Sequence, residues 1–301
     1  MDAVIKHYLN KDIKEKEILY GGMSYQTYKL TLSDNQKIIF RAKKDYIEDD
    51  RKVVVSDKLI REKFFYDTVN KRIGHICPEI YIIDGTNELY NMTFCIMEYI
   101  EGTPLYKYPY RQDDKFYSDI SCQAGALMAR IHGIEIESNH SYIAGRGRLE
   151  DTKAAELHKN LSSLLTENLI TPDEINDLVN RMRNSKFAKT RAFLHNDFRD
   201  ANFIYRDNGE LFLLDAELCD FGNPLGELVM SECVNWKKDA FIEGYNDAYG
   251  KKADIDSDLY YLYLINLRSF LYNLFNTVIH EPESKQWHLH GFLQAKQKLL
   301  C

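Results

Sequence analysis

The chain has 301 residues, enough for two lobes with cores of their own, and its 45% hydrophobic and 28% charged residues are ordinary for a soluble globular protein. No stretch is long and apolar enough to span a bilayer, the nearest candidate (Leu259–Phe275) being interrupted by Asn266, Arg268 and Asn273, and the polar start at Met1-Asp2-Ala3 has no apolar leader, so no membrane partner and a cytoplasmic location are expected. The net charge of −7 argues against nucleic acid, and because residues 1–100 carry 16 Lys+Arg and 16 Asp+Glu, the whole excess lies in 101–301, where it favours a cationic small-molecule acceptor.

In chain order, Val4, Ile5, Tyr8 and Leu9 recur at helical spacing in the polar segment Asp2–Glu17, which predicts a short amphipathic helix. Tyr28, Leu30 and Leu32 alternate with Thr27, Lys29 and Thr31, a strand pattern; after the turn Ser33–Gln36 a second strand is predicted over Lys37–Lys43. Gly21-Gly22 sit between two strands, ahead of the strand that carries Arg41 and Lys43. Glycines there let backbone amides approach a phosphate, and Ser24 adds a hydroxyl; no Gly-Lys-Ser/Thr follows, so this is not a Walker A loop. Arg41 and Lys43 share one strand face. Ser56–Val69 reads as a helix whose apolar face holds Leu59, Ile60, Phe64 and Phe65. Cys77–Gly85 and Thr93–Ile100 read as two more strands, the second ended by the breaker cluster Glu101–Leu105.

Beyond that cluster the pattern turns helical. Phe116–His132 places Ile120, Ala124, Leu127, Met128 and Ile131 on one side. Ala154–Met182 reads as two polar helices divided at Thr171-Pro172, with Thr171 as N-cap, Pro172 in the first turn and Glu174 completing a capping box. Trp236, Phe241 and Tyr245 precede an aromatic-rich helix over Leu259–Ile279, mostly core, with a few rings left to wall an acceptor pocket. The six cysteines form no Cys-x-x-Cys pair and stand beside no histidine at zinc spacing, so free thiols in a reducing compartment are expected.

The stretch His195-Asn196-Asp197-Phe198-Arg199-Asp200-Ala201-Asn202 carries the chemistry. A polar turn at Asp207-Asn208-Gly209-Glu210 between short apolar runs signals a hairpin, and the run Leu211–Leu214 ends in Asp215. Phosphoryl transfer needs such a set. A carboxylate must orient the attacking hydroxyl and take its proton, and a hard Mg²⁺ that neutralises phosphate oxygens prefers oxygen ligands, here an Asn carbonyl and a carboxylate. The order His-x-Asp-x-x-x-x-Asn, hairpin, Asp is that of the protein-kinase catalytic loop and its metal-binding Asp. On these residues the chain resembles the aminoglycoside phosphotransferase and choline-kinase-like group of small-molecule kinases. The resemblance runs from about Leu19 to Tyr245 and is strongest over residues 195–215.

That resemblance implies an α+β, two-lobed protein-kinase-like fold: a small antiparallel-sheet N-lobe over residues 1–100 that binds nucleotide, and a larger, mainly helical C-lobe over 101–301 that carries catalysis and the acceptor. It implies Asp197 as the catalytic base, Asn202 and Asp215 as Mg²⁺ ligands, and Gly21, Gly22 and Ser24 at the phosphates. Arg41 is by resemblance the phosphate cation, with Lys43 as the alternate, and Glu62 is the helix residue that pairs with it. Main-chain groups at Met97, Glu98 and Ile100 hold the adenine of ATP, with GTP as the alternative donor. Asp200, Glu217 and Asp220 are the acidic side chains nearest in sequence to receive an amine. The implied function is ATP-dependent phosphorylation of a hydroxyl on a small, amine-bearing molecule; a choline- or ethanolamine-type kinase, or a catalytically inactive binding module of the same fold, are the alternatives. Three positions depart from the family pattern: Tyr25 stands where Asn is usual, Ala216 where choline kinases carry Trp, and Leu218 where an aromatic is common. The short span from Asp215 to Pro224 leaves no room for the activation segment that docks a peptide. His132 and Glu227 read as structural, Glu227 as an anchor for the catalytic loop. The oligomeric state is left open.

Overall fold

The computed structural model describes residues 1–19, 25–44, 54–135, 149–185 and 191–300. The contacts divide the chain into two compact units. The first comprises Met1–Pro109, His195–Asp197 and Ala201–Cys219; the second comprises Tyr110–Leu194, Phe198–Asp200 and Asp220–Cys301.

The first unit opens with helix α1 (Asp2–Leu9) and continues through strands β1 (Ile13–Leu19), β2 (Tyr25–Leu32) and β3 (Lys37–Lys43), helix α2 (Val54–Ile73), and strands β4 (Ile80–Asp84) and β5 (Phe94–Glu98). The five strands form one antiparallel sheet in the order β1-β2-β3-β5-β4. Alternation places Leu30, Leu32, Ile38, Phe40, Ala42, Phe94 and Ile96 in one buried cluster, where they meet Val4 and Ile5 of α1. The opposite parity of β3 carries Ile39, Arg41 and Lys43, and Arg41 stands across from Cys95 of β5.

The short helix expected within Asp2–Glu17 is α1, which ends at Leu9, where Asn10 adopts a left-handed φ of 52°; Ile13–Leu19 then pairs with β2 as a strand. Its Lys and Glu residues are exposed because β1 is a sheet edge, and edge strands carry charge to discourage further pairing.

The remainder of the first unit is the expected hairpin, β6 (Phe203–Tyr205) paired antiparallel with β7 (Leu211–Leu213). Asn208 Oδ1 accepts the Glu210 amide in its turn at 3.1 Å. Thr103–Pro104 adds a short ladder to β6, and the Leu213 amide reaches back to Ile76 O at 2.8 Å.

The second unit is built on helices α3 (Asp114–His132), α4 (Leu149–Ser162), α5 (Pro172–Asn184), α6 (Lys238–Tyr249), α7 (Asp258–Leu274) and α8 (Pro282–Leu300). The capping box at α5 is present: Thr171 Oγ1 accepts the Glu174 amide at 3.2 Å while Glu174 Oε2 accepts the Thr171 amide at 2.7 Å. The helix predicted to run to Ile279 is regular to Leu274 and then widens into a π-type turn over Phe275–Ile279. Helices α3 and α6 cross backbone against backbone. A Cβ on Gly125 would sit 1.9 Å from Phe241 O, and one on Gly244 2.1 Å from Cys122 O, so neither position admits a side chain without moving a helix. His132, read as structural, is buried at this crossing. Its Nε2–H donates to Glu227 Oε2 at 2.9 Å and its Nδ1 accepts the Tyr245 hydroxyl at 3.0 Å. Among the described residues no helix is long and apolar enough to cross a membrane.

Candidate active site

The His195–Asp215 segment folds around its own main chain. His195 is fully buried; its Nε2–H donates to Leu214 O at 2.9 Å and its Nδ1 accepts the Asp197 amide at 3.2 Å. Both ring nitrogens are used by backbone, so the imidazole ties the start of the loop to the end of the hairpin. Asn202, also buried, donates from Nδ2 to Asp197 O at 2.8 Å and to Asp197 Oδ2 at 2.7 Å. This amide fixes the Asp197 carboxylate through one oxygen and turns the Asn202 carbonyl away from Asp197. The Asn202 main-chain oxygen accepts the Leu214 amide at 2.8 Å, which brings Asp215 one residue beyond the loop's end. Asp215 has a φ of 61°, in the left-handed region that costs a residue with a Cβ about 1–2 kcal/mol. Its amide donates to the Tyr66 hydroxyl at 2.7 Å.

Strand β3 and helix α2 supply the cation. Arg41 Nη1 donates to both oxygens of Glu62, at 2.9 and 3.1 Å, and Arg41 Nη2 lies 3.6 Å from Asp215 Oδ1. The Arg41 side chain is 11% exposed and that of Glu62 is fully buried. Burial works against the Arg41 charge, but Glu62 above all, with Asp215 further out, holds its pKa above the ordinary value. The Tyr25 ring stacks on the guanidinium, 4.5 Å from its centroid. The sequence left Arg41 and Lys43 as alternatives; the residue that pairs with Glu62 is Arg41, and Lys43 stands two residues along the same strand face, half-buried.

Glu217 adds a fourth carboxylate. Its Oε1 lies 3.5 Å from Lys58 Nζ, while its Oε2 is buried with no hydrogen-bond partner among the described residues. Burial, reinforced by Asp215, raises its pKa against the pull of Lys58. The donors available to a metal here are the Asn202 carbonyl and the Asp215 and Glu217 carboxylates. All are hard oxygens, as Mg²⁺ prefers, and the orphaned Glu217 oxygen beside Asp215 is a group that a dication or its water would satisfy. Among the described residues no three His, Cys, Asp or Glu side chains form a closed metal cage. An open set of this kind suits an ion that keeps waters and phosphate oxygens in its shell. The residues present therefore fit Mg²⁺.

The other predicted positions are distributed as follows. Met97 is buried in β5, the Glu98 amide donates to Glu79 O at 2.8 Å, and Ile100 is buried just past the strand end. Glu98 Oε2 meets His75 Nε2 at 2.7 Å. Gly21, Gly22 and Ser24 lie outside the described residues. Asp200 belongs to the second unit, where it is buried and ion-paired with Arg111, so its charge is met within the protein. Asp220, also in that unit, opens the short ladder Asp220–Gly222 against Ala192–Leu194, and its Oδ1 accepts the Phe221 amide at 2.9 Å. The sequence reading missed Tyr66, Arg111 and Trp236, whose Nε1–H donates to Phe198 O at 2.9 Å and so anchors the middle of the loop within the second unit. Only Tyr66 carried a signal: it follows Glu62 by four residues, on the same helix face.

An antiparallel sheet bearing an Arg–Glu pair, a His-x-Asp-x-x-x-x-Asn loop and an Asp behind a hairpin is the plan of the protein-kinase-like phosphotransferases. The model of the phosphotransferase enzyme family matches residues 17–261, and the chain belongs to that family. Three solved structures show the likeness in fold. A streptomycin–ATP ternary complex of APH(2'')-IIa has a TM-score of 0.67 at 19% identity, over 99% of this chain and 98% of that one. ADP-bound aminoglycoside phosphotransferase APH(2'')-Ib has a TM-score of 0.63 at 18% identity, over 99% of each chain. Choline kinase from Cryptosporidium parvum Iowa II has a TM-score of 0.63 at 14% identity, over 95% and 90%. A search of curated protein sequences finds no match.

Proposed function

We propose that this protein transfers the γ-phosphoryl group of ATP to a hydroxyl of a small, amine-bearing molecule, as aminoglycoside phosphotransferases do, with GTP as the alternative donor. The observation that carries this reading is the Asn202 amide gripping both the main chain and the carboxylate of Asp197, while Asp215, one hairpin later, meets the Arg41–Glu62 pair. Asp197, held through one oxygen, orients the acceptor hydroxyl and takes its proton as the hydroxyl oxygen attacks the γ-phosphorus; the bond to the β,γ-bridging oxygen breaks and ADP leaves. Mg²⁺ at Asn202 and Asp215 supplies neutralisation of the β- and γ-phosphate oxygens when bound. Arg41, immobilised by Glu62 and Tyr25, presents a fixed charge to the α- and β-phosphates. Main-chain groups from Met97 to Ile100 receive the base, and Gly21, Gly22 and Ser24 complete the phosphate contacts. Residues 1–100 thus serve the nucleotide, and 101–301 supply the catalytic loop and the acceptor site.

Several findings support the reading. The chain belongs to the phosphotransferase enzyme family. Its structural neighbours include complexes with ATP, ADP and GDP, and with streptomycin, gentamicin and kanamycin. The amine preference rests on the net charge of −7, all of it beyond residue 100. The likeness to a choline kinase keeps choline and ethanolamine among the acceptors to be tried. The test is acceptor-dependent ADP or GDP release from Mg·ATP and Mg·GTP over aminoglycosides, choline, ethanolamine and neutral polyols. Turnover of an amine-bearing acceptor is expected. Turnover of neutral compounds alone removes the amine preference, and nucleotide binding without turnover of any acceptor points to the inactive binding module.

A further inference from the structure

The Tyr66 hydroxyl takes no part in the steps above, yet it joins the two halves of the candidate site. Tyr66 lies on α2 one turn after Glu62 and is fully buried. Its hydroxyl donates to Glu62 Oε1 at 2.7 Å and accepts the Asp215 amide at 2.7 Å. The direction is fixed by chemistry: an ionised Glu62 has no proton to give and a main-chain amide has no lone pair to offer, so one oxygen serves both. Glu62 in turn holds Arg41, and Arg41 Nη2 faces Asp215 Oδ1 at 3.6 Å. The four residues close a ring within the first unit: Arg41, Glu62, Tyr66, the Asp215 main chain, and back through the Asp215 carboxylate to Arg41.

What the ring constrains is the backbone at Asp215. Its left-handed φ of 61° is unfavourable for a residue with a Cβ and persists only where neighbours over-determine it. The flanking Leu214 amide is held by Asn202 O, and the Asp215 amide is held by Tyr66. The direction in which the Asp215 carboxylate leaves the chain is therefore set from helix α2. We infer that Tyr66 is a positioning residue: its hydroxyl fixes the Asp215 carboxylate for the metal–nucleotide complex and ties that setting to the Arg41–Glu62 pair. The inference rests on the phosphotransferase reading. A purely structural tyrosine would contribute to stability and leave metal dependence alone.

Tyr66→Phe separates the two, since it keeps the ring and removes one oxygen. ADP binding by the full-length protein is followed calorimetrically across Mg²⁺ concentrations. Loss of a group that orients a metal ligand costs about 10–100-fold in metal affinity, so the Mg²⁺ concentration for half-maximal ADP binding should rise by about tenfold or more, with metal-free ADP binding unchanged. Tyr260→Phe is the control: it removes another buried hydroxyl, one that donates to Glu232 Oε1 at 2.7 Å in the second unit, and it should lower the melting temperature without moving the Mg²⁺ requirement. Should Tyr66→Phe fail to fold, hydrogen exchange at the wild-type Asp215 amide decides instead: slow exchange, slowed further by Mg·ADP, is expected. A Tyr66→Phe requirement within about twofold of wild type, or an Asp215 amide that exchanges at an open-chain rate with and without Mg·ADP, overturns the inference and leaves the phosphotransferase reading intact. A wild-type protein with no Mg²⁺-dependent ADP binding removes both.

Discussion

Removing Glu62 leaves a largely buried positive charge without its closest partner. In Glu62→Ala, Arg41 loses both of its short contacts, at 2.9 and 3.1 Å, and the Tyr66 hydroxyl loses its acceptor. The Arg41 side chain is 11% exposed and its guanidinium does not deprotonate, and its next carboxylate, Asp215, is 3.6 Å away with a side chain 43% exposed. Breaking a buried pair by deleting one partner costs about 3–5 kcal/mol, whereas an exposed pair such as Lys63–Asp67, with side chains 40% and 56% exposed, is worth about 0–1 kcal/mol. Urea unfolding of Glu62→Ala beside Asp67→Ala measures the contrast, and the Glu62 variant should lose at least about 2 kcal/mol more. The double variant Arg41→Met/Glu62→Leu sharpens it. With neither charge present most of the stability should return, because a buried ion pair is often matched by apolar side chains of similar volume, yet Mg·ADP binding should stay lost. Glu62→Ala within about 1 kcal/mol of Asp67→Ala would show that Arg41 finds water or Asp215 at little cost, and the argument from burial would be wrong.

Asp197→Asn should leave nucleotide binding near wild type and lower turnover by about 10²–10⁴-fold, as expected for loss of a general base, measured with saturating acceptor; turnover within a few-fold means the base is misassigned. Asp215→Ala should abolish the Mg²⁺ dependence of ATP binding and Asn202→Ala weaken it, by calorimetry with and without the metal; unchanged dependence in both rejects the ligand assignment. His288, buried and hydrogen-bonded to Arg268 Nη1 at 3.1 Å, has its pKa held down to about 4 from the ordinary 6.5, first by burial and then by Arg268, with Glu281 opposing. The unfolded chain takes up a proton there between about pH 6.5 and 4 that the folded chain refuses, so stability should fall across that window by up to about 3 kcal/mol. His288→Gln should flatten this dependence in urea titrations at pH 7 and pH 4.5, and an unchanged slope would place the acid sensitivity elsewhere.

The parts of the structure that a local rule governs were legible in the sequence. Alternation gave β2 and β3, and the hard pattern of turn residues gave the hairpin after Asn202. Thr171-Pro172 with Glu174 named a helix start to the residue. The extent of strand β1 carried no signal of its own, because Lys and Glu mark an edge strand and a helix surface alike, and only pairing with β2 decides between them. Asp200 was read as an open anion because Arg111 lies 89 residues earlier in the chain. Likewise the Tyr66–Asp215 bond spans 149 residues, and spacing along α2 shows that Tyr66 shares a face with Glu62 but not that an amide arrives there.

The make-up of the first unit bears on how the chain is made. Its sheet and α2 are complete once Pro109 has left the ribosome, but His195–Asp197, the hairpin and the Asp215 turn belong to the same unit and follow only after residues 110–194 have been synthesised. Until then Arg41, Glu62 and Tyr66 lack the partner that Asp215 supplies, and Ile76 O lacks the Leu213 amide. The amino-terminal unit therefore cannot finish folding ahead of the rest, against the usual order for a nascent chain. Because each unit is made of separate stretches of chain, no single cut in the gene divides one unit from the other.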